Sequence, residues 1–316
     1  MQERYTDKRL SDLDNEIDLR VLINILLAGK WMIVAITSFI SIAAVVYSLL
    51  LPNIYESKAL LVPVNLSSGI SGALGSYSSL AGLAGINLPP DGDEGNSQKA
   101  IEKIGSLSFF ENNIFSNINL PDLMAVKSWN HKTNILVYDK RIYDIKSSAW
   151  IREYSYPQRQ IPSAQESYVV FMEEHLTLSE DKKSGFITLS IKHQSPFVAK
   201  KWAELIINEV NNFYRIKDKL ESEKAVNYLN QQILLTNFSE IKEALAQLLQ
   251  EQTKKLTLIE ANELYVFDYI DPPAVMEKKS GPKRALICIL GTLLGGILSV
   301  LYVLIRHYYR LGKKTS

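Results

Sequence analysis

The sequence predicts an α+β membrane protein in which two transmembrane helices flank a single α/β base domain carrying one very long extended helix. Three observations lead there. Trp31 to Leu51 (WMIVAITSFISIAAVVYSLLL) and Ala285 to Ile305 (ALICILGTLLGGILSVLYVLI) are free of formal charge. Each holds about 21 residues, which at about 1.5 Å per residue covers a hydrocarbon core about 30 Å thick. Strand-like segments lie just inside both spans, at NIYESKALLVPV and LYVFDYI. Finally, the stretch from Phe197 to Asp271 contains neither glycine nor proline.

Composition supports a packed domain. The 316 residues are 47% apolar and 22% charged, and the net charge of +1 offers nothing to a nucleic acid. The only cysteine, Cys288, falls in the second span, so packing alone must hold the fold. The first span reads as an uncleaved signal anchor. A charged leader of about 30 residues precedes it, its apolar run exceeds an ordinary signal-peptide core, and its exit, LLLPNIYESKA, lacks a small-x-small cleavage site.

Charge sets the expected orientation. Residues 1–30 offer Arg4, Lys8, Arg9, Arg20 and Lys30, and residues 306–316 offer Arg306, Arg310, Lys313 and Lys314. The positive-inside bias then puts both termini in the cytoplasm and residues 52–284 on the far side of the membrane. Lys278, Lys279, Lys283 and Arg284 oppose this, but a loop much longer than about 60 residues translocates largely regardless of charge.

Along the loop, the branched and aromatic residues of NIYESKALLVPV suit a strand leaving the membrane. From Ser67 to Gly95 the chain is rich in Gly, Ser and small apolar residues, with Ile70, Leu74, Tyr77, Leu80, Leu83, Ile86 and Leu88 recurring, which predicts an irregular flap that packs. The carboxylates of DGDEGN miss the calcium-loop template, because Gly95 takes a ligand position, and read as a solvated turn. Ser97 to Asn117 has a helical pattern, and Leu120 to Pro162 reads as mixed helix and loop. Ser163 and Glu166 form a capping-box match opening a helix to about His175, and LTLSEDKKSGFITLSIKH predicts a hairpin around Gly185.

Ser195-Pro196 supplies an N-cap and a first-turn proline. After it, Trp202, Leu205, Ile206, Val210, Phe213, Ile216 and Leu220, then Leu229, Ile233, Ile241, Leu245, Leu248 and Leu256, keep helical spacing. One helix over about 196–262 would reach roughly 90 Å. A coiled-coil hairpin competes, but LLTNFSE has no Gly or Pro with which to turn, so the continuous helix is the expectation. The strands at the two ends of the loop should share one sheet.

No catalytic, cofactor or metal motif emerges. His131, His175, His193 and His307 show no ligand spacing, no nucleophile elbow frames a serine, and the terminal RLGKKTS lacks the first glycine of a phosphate loop. Two other features stand out. Pro272, Pro273 and Pro282 stiffen the approach to the second span beside Lys278, Lys279, Lys283 and Arg284, and Gly291, Gly295 and Gly296 give that span a G-x-x-x-G suited to close helix packing.

The two terminal spans, PNIYESKALLVPV after the first, the long uninterrupted helix and the proline-containing basic approach to a glycine-containing second span together resemble the Wzz-type chain-length determinants, a family of polysaccharide co-polymerases. The resemblance implies a periplasmic α/β base, a long helix and a ring-shaped homo-oligomer. It further implies a non-enzymatic regulator, without cofactor, that works beside a Wzy-type polymerase on an undecaprenyl-pyrophosphate-linked glycan, the O antigen of lipopolysaccharide. The prolines would then act as a membrane-proximal hinge, and the four basic residues would contact lipid headgroups or the pyrophosphate. Lysines stand at Lys278 and Lys279, in a stretch where family members often carry further prolines. The alternative is a capsule or exopolysaccharide export adaptor working with a separate tyrosine kinase, since the sequence ends about 11 residues past the second span, with only Tyr308 and Tyr309 there.

Overall fold

The computed structural model describes residues 19–64 and 94–312. Residues 67–93 of the predicted flap, with the first half of DGDEGN, therefore lie outside the described residues, as do Arg4, Lys8, Arg9, Lys313 and Lys314, whereas Glu94, Gly95 and Asn96 open a helix rather than a turn. The chain divides into two units, Asn53–Ser280 and the pair Met1–Pro52 with Gly281–Ser316.

The larger unit is built on a four-stranded antiparallel sheet of order β6-β7-β1-β8, with β1 at Tyr55–Pro63, β6 at Leu176–Glu180, β7 at Ile187–His193 and β8 at Phe267–Asp271. The first and last strands of the domain are indeed neighbours. β1 pairs with β7 from Tyr55↔His193 to Leu61↔Ile187 and on its other side with β8, where the register slips between Leu60 and Leu61. Ala59, Leu61, Ile187, Leu189 and Ile191 alternate onto one buried face. The turn between β6 and β7 passes through Gly185 at φ +70°, a left-handed backbone that favours glycine.

A long helix covers that face. It starts at Pro196, whose missing N–H costs nothing at a first helical position, and it buries Ala199, Trp202, Ala203, Ile206, Ile207 and Val210. Before it come α3 (Glu94–Ile104), α4 (Leu107–Phe109), a π-helical turn at Phe110–Ile114 and a 3-10 turn at Phe115–Asn117. These set Phe109, Phe110 and Ile114 into the same core. α5 (Leu120–Met124) and α6 (Ala164–Val170) follow, the latter continued by a π-helical turn at Phe171–His175.

Two expectations are corrected. Residues 120–162 hold the expected helix, at Leu120–Met124, and loop, but between them also two short β-ribbons, β2 (Val126–Asn130) with β3 (Ile135–Tyr138) and β4 (Tyr143–Asp144) with β5 (Ala149–Trp150). Aromatic contacts mark them: Tyr143 meets Trp150 across the β4–β5 pair at 5.2 Å, and Tyr138 of β3 meets Tyr143 of the next ribbon at 5.7 Å, both edge to face. The long helix also stops short of 262. α7 spans Pro196–Leu235, 40 residues or about 60 Å, and α8 spans Ser239–Ala261.

The chain reverses through Thr236, Asn237 and Phe238. Thr236 (φ −85°, ψ 133°) and Phe238 (φ −88°, ψ 122°) are extended, a conformation open to any residue, so this turn needed neither glycine nor proline. The reversal lets α8 cover the apolar stripe of α7. Leu229 and Ile259 are buried, and Lys219 pairs with Glu260 across the two helices. The very long helix stands, as the first arm of a hairpin.

The predicted capping box is half formed. Glu166 N–H donates to Ser163 Oγ at 3.2 Å, but the Glu166 carboxylate takes the Arg152 guanidinium, which reaches Oε2 at 2.7 Å. The other nitrogen contacts of Arg152 go to the carbonyls of Arg159 and Gln160, so one side chain ties the ribbon-bearing segment to α6.

In the smaller unit, α1 (Leu19–Ala28) precedes α2 (Lys30–Leu50), which lies antiparallel to α9 (Arg284–Gly312). Both α2 and α9 are long and apolar enough to cross a membrane. Their outer surfaces are apolar and exposed, as at Phe39, Ile42, Leu50, Leu293, Leu294 and Ile297, which is the pattern of helices facing lipid rather than a protein core.

Candidate functional site

The residues singled out around the second span divide between the two units. In the larger unit, Pro272 and Pro273 end β8, because neither has an N–H to continue a ladder. Pro272 is exposed and Pro273 buried. The chain beyond runs back along the start of β1, fastened at two places. Ser57 Oγ donates to Ala274 O at 2.9 Å, and Ser280 donates to Ile54 O from its amide at 2.9 Å and from Oγ at 3.2 Å. Lys278 and Lys279 are exposed there, and Lys279 Nζ reaches Asn53 Oδ1 at 3.3 Å.

In the smaller unit, Pro282 O accepts the Arg284 amide, and Lys283 O accepts from Leu286 and Ile287, which begins α9. Lys283 is exposed, while Arg284 is half-buried and donates to Leu51 O at 3.3 Å, tying the start of one apolar helix to the end of the other.

Gly291 and Gly295 are where α9 meets α2. A Cβ on Gly291 would fall 2.5 Å from Ala44 Cβ, and one on Gly295 would fall 3.0 Å from Ile40 Cβ. Either position admits only glycine without movement of the facing helix. Gly296 faces open space. The seam also holds features the sequence reading missed. Ser41 Oγ donates to Thr292 Oγ1 at 3.0 Å, and Thr37 and Ser299 hydroxyls bond at 3.2 Å. A Cβ on Gly29 would meet Val303 Cγ1 at 2.6 Å. The spacings Thr37–Ser41 and Thr292–Ser299, four and seven residues on a helix, carried that signal.

Two buried polar groups in the sheet domain were likewise not read from sequence. Asn211 of α7 is 2% exposed, and its Oδ1 accepts the amides of Tyr265, Val266 and Phe267 at 3.1, 2.7 and 2.9 Å while Nδ2 donates to Phe267 O. One amide thus fixes the return from the hairpin into β8. His175 and His193, 18 positions apart in sequence, lie ring to ring at 5.6 Å. Burial pushes the pKa of His193 down to about 4 and lowers that of His175.

The geometry so far defines a class: an α/β domain with a long helical hairpin, bracketed in sequence by two helices of membrane-spanning length. Comparison with known proteins narrows it. Residues 15–112 match the Wzz family model, described as chain length determinant protein, and residues 229–308 match the GNVR model, described as a G-rich domain on putative tyrosine kinase. No curated protein matches the sequence. Among solved structures, a full-length bacterial polysaccharide co-polymerase is 14% identical over 93% of this chain and 98% of its own, at a TM-score of 0.40. A fragment of WzzB, a polysaccharide co-polymerase from Salmonella Typhimurium, is 15% identical over 72% of this chain and all of its own, at 0.32. The resemblance read from the sequence is borne out by the first family model, which matches the chain over residues 15–112.

Proposed function

We propose that this chain is a non-enzymatic regulator of polysaccharide chain length. It sits in a bacterial inner membrane with both termini cytoplasmic and the sheet domain periplasmic. It acts as a ring-shaped homo-oligomer beside a Wzy-type polymerase, on the undecaprenyl-pyrophosphate-linked glycan that becomes the O antigen of lipopolysaccharide. The observation that carries this reading is the Wzz match over residues 15–112, which takes in the first apolar helix and β1.

In this reading Pro272, Pro273 and Pro282 form a membrane-proximal hinge, since proline fixes φ and stops either neighbouring element from running on. Lys278, Lys279, Lys283 and Arg284 sit at headgroup level and meet phosphate groups of lipid or of the pyrophosphate carrier, where each basic residue contributes about 1 kcal/mol. Deletion of the gene, followed by complementation, tests it. The lipid-linked chains should lose their preferred length on a gel and regain it with the wild-type protein. An unchanged ladder contradicts the proposal.

A second reading, an export adaptor for capsule or exopolysaccharide that works with a separate tyrosine kinase, is favoured by the GNVR match over residues 229–308. Loss of capsule with an unaltered lipopolysaccharide ladder would select it.

A further inference from the structure

β7 ends at His193, two positions before Ser195, the N-cap of the long helix α7. The His193 ring is 1% exposed, and both of its nitrogens are engaged. The Ser195 amide donates to Nδ1 at 2.9 Å, and Nε2 lies 3.0 Å from Asp122 O in α5. An amide N–H can only donate, so Nδ1 must keep its lone pair, and the ring proton sits on Nε2, which donates to Asp122 O. The neutral ring therefore joins three elements, β7, α5 and the start of α7. A second proton at Nδ1 would set N–H against N–H, so the ring cannot become charged without releasing the Ser195 amide. The Ser195 hydroxyl makes no capping bond of its own.

The surroundings oppose that charge. His175, on the turn after α6, packs 5.6 Å from His193, and both rings stand edge-on to Trp202 of α7, at 5.3 and 5.0 Å. His175 is wired differently: its Nδ1 lies 2.6 Å from Lys192 O and must donate there, which leaves Nε2 able to take a proton without breaking that bond. The other charged groups on the packed elements are Glu173 and Glu174 beside His175, Lys192 on β7, Glu56 opposite it on β1, Lys200, Lys201 and Glu204 in the first turns of α7, and the Asp122 carboxylate, which accepts from Asn119 and the Tyr138 hydroxyl. Burial, and after it the His175 charge, hold His193 down to about 4.

We propose that His193 is an acid-operated latch at the foot of the long helix. Its protonation releases the Ser195 amide and frees the first turn of α7 from the end of β7, so the joint between sheet and helical hairpin loosens as the surroundings acidify.

The sign follows from linkage. Closed, the ring stays neutral down to about 4, whereas a freed histidine takes up its proton near 6.5. The open joint therefore binds more protons between those values. The latch is fully closed above pH 6.5, and its opening grows by up to about tenfold per pH unit as pH falls through the window.

Hydrogen–deuterium exchange on the full chain in lipid nanodiscs tests this. The readout is the protection of amides at Ser195 and Ala199–Trp202 relative to α8 amides at the same pH, which cancels the pH dependence of chemical exchange. The wild type should lose about tenfold of that relative protection between pH 6 and pH 5. His193→Asn keeps an acceptor oxygen at the Nδ1 position but cannot titrate, and should give a flat ratio. A wild-type ratio that stays constant overturns the latch, and so does a variant ratio that falls as steeply as the wild type. The wild-type measurement decides alone if the variant does not fold.

Discussion

The molecule contains two antiparallel helix pairs assembled by opposite means. In α2 and α9 the seam is made of absences: Gly291 and Gly295 let Ala44 and Ile40 come close, and hydroxyls bond across the gap between Ser41 and Thr292 and between Thr37 and Ser299. In α7 and α8 the seam has no glycine at all and is filled by apolar side chains, with Leu229 and Ile259 buried. The difference follows from the solvent each pair suits. Apolar surface gains nothing by leaving lipid, so close contact and hydrogen bonds must hold the first pair, whereas water drives the apolar stripes of the second together. The surfaces left over differ too: Phe39 and Leu294 are exposed where lipid can cover them, while the second pair carries exposed ion pairs along α7, Lys200 with Glu204 and Lys217 with Glu221, and shows apolar residues chiefly around its turn, at Leu234, Leu235 and Phe238.

Substitutions at the two seams, and at the point where α7 anchors the chain returning into β8, sharpen this comparison. The largest effect belongs to Asn211→Leu. It leaves the amides of Tyr265, Val266 and Phe267 without their shared acceptor inside the core, at a cost of about 3 kcal/mol or more, read as a lower denaturation midpoint of the sheet domain by tryptophan fluorescence. Gly291→Leu comes next. Overpacking against Ala44 should cost about 1–3 kcal/mol and weaken the apolar pair in detergent titration, while Gly296→Leu, which meets open space, should be close to neutral. If both glycines respond alike, the seam is wrong. Smallest is Lys219→Ala. Its partner Glu260 is exposed along with it, so the same fluorescence assay should find no measurable change, and a large loss would mean that ion pairing rather than apolar contact holds the hairpin.

The contrast also shows what was legible. Uncharged runs of membrane length, the alternation in β1 and β7 and the helical spacing from Trp202 onward are one-dimensional signals, and each element stands where its signal lies. The hairpin turn carries no Gly or Pro signal, because Thr236 and Phe238 reverse the chain in ordinary extended backbone. The ribbons between Val126 and Trp150 were missed because strands of two to five residues are too short to show a period. Asn211, His193 and the serine–threonine seam depend on partners 54, 71 and more than 250 positions away, which no local pattern can name.

Everything functional rests on the sheet domain and its hairpin facing the periplasm, and the hairpin turn is the place to ask. Phe238 is 69% exposed between α7 and α8, so a Phe238→Cys substitution in a Cys288→Ser background puts the only thiol at that turn. A membrane-impermeant maleimide added to spheroplasts should label it fully before the inner membrane is opened. Labelling that appears only after the membrane is broken would place the hairpin in the cytoplasm and contradict the proposed role.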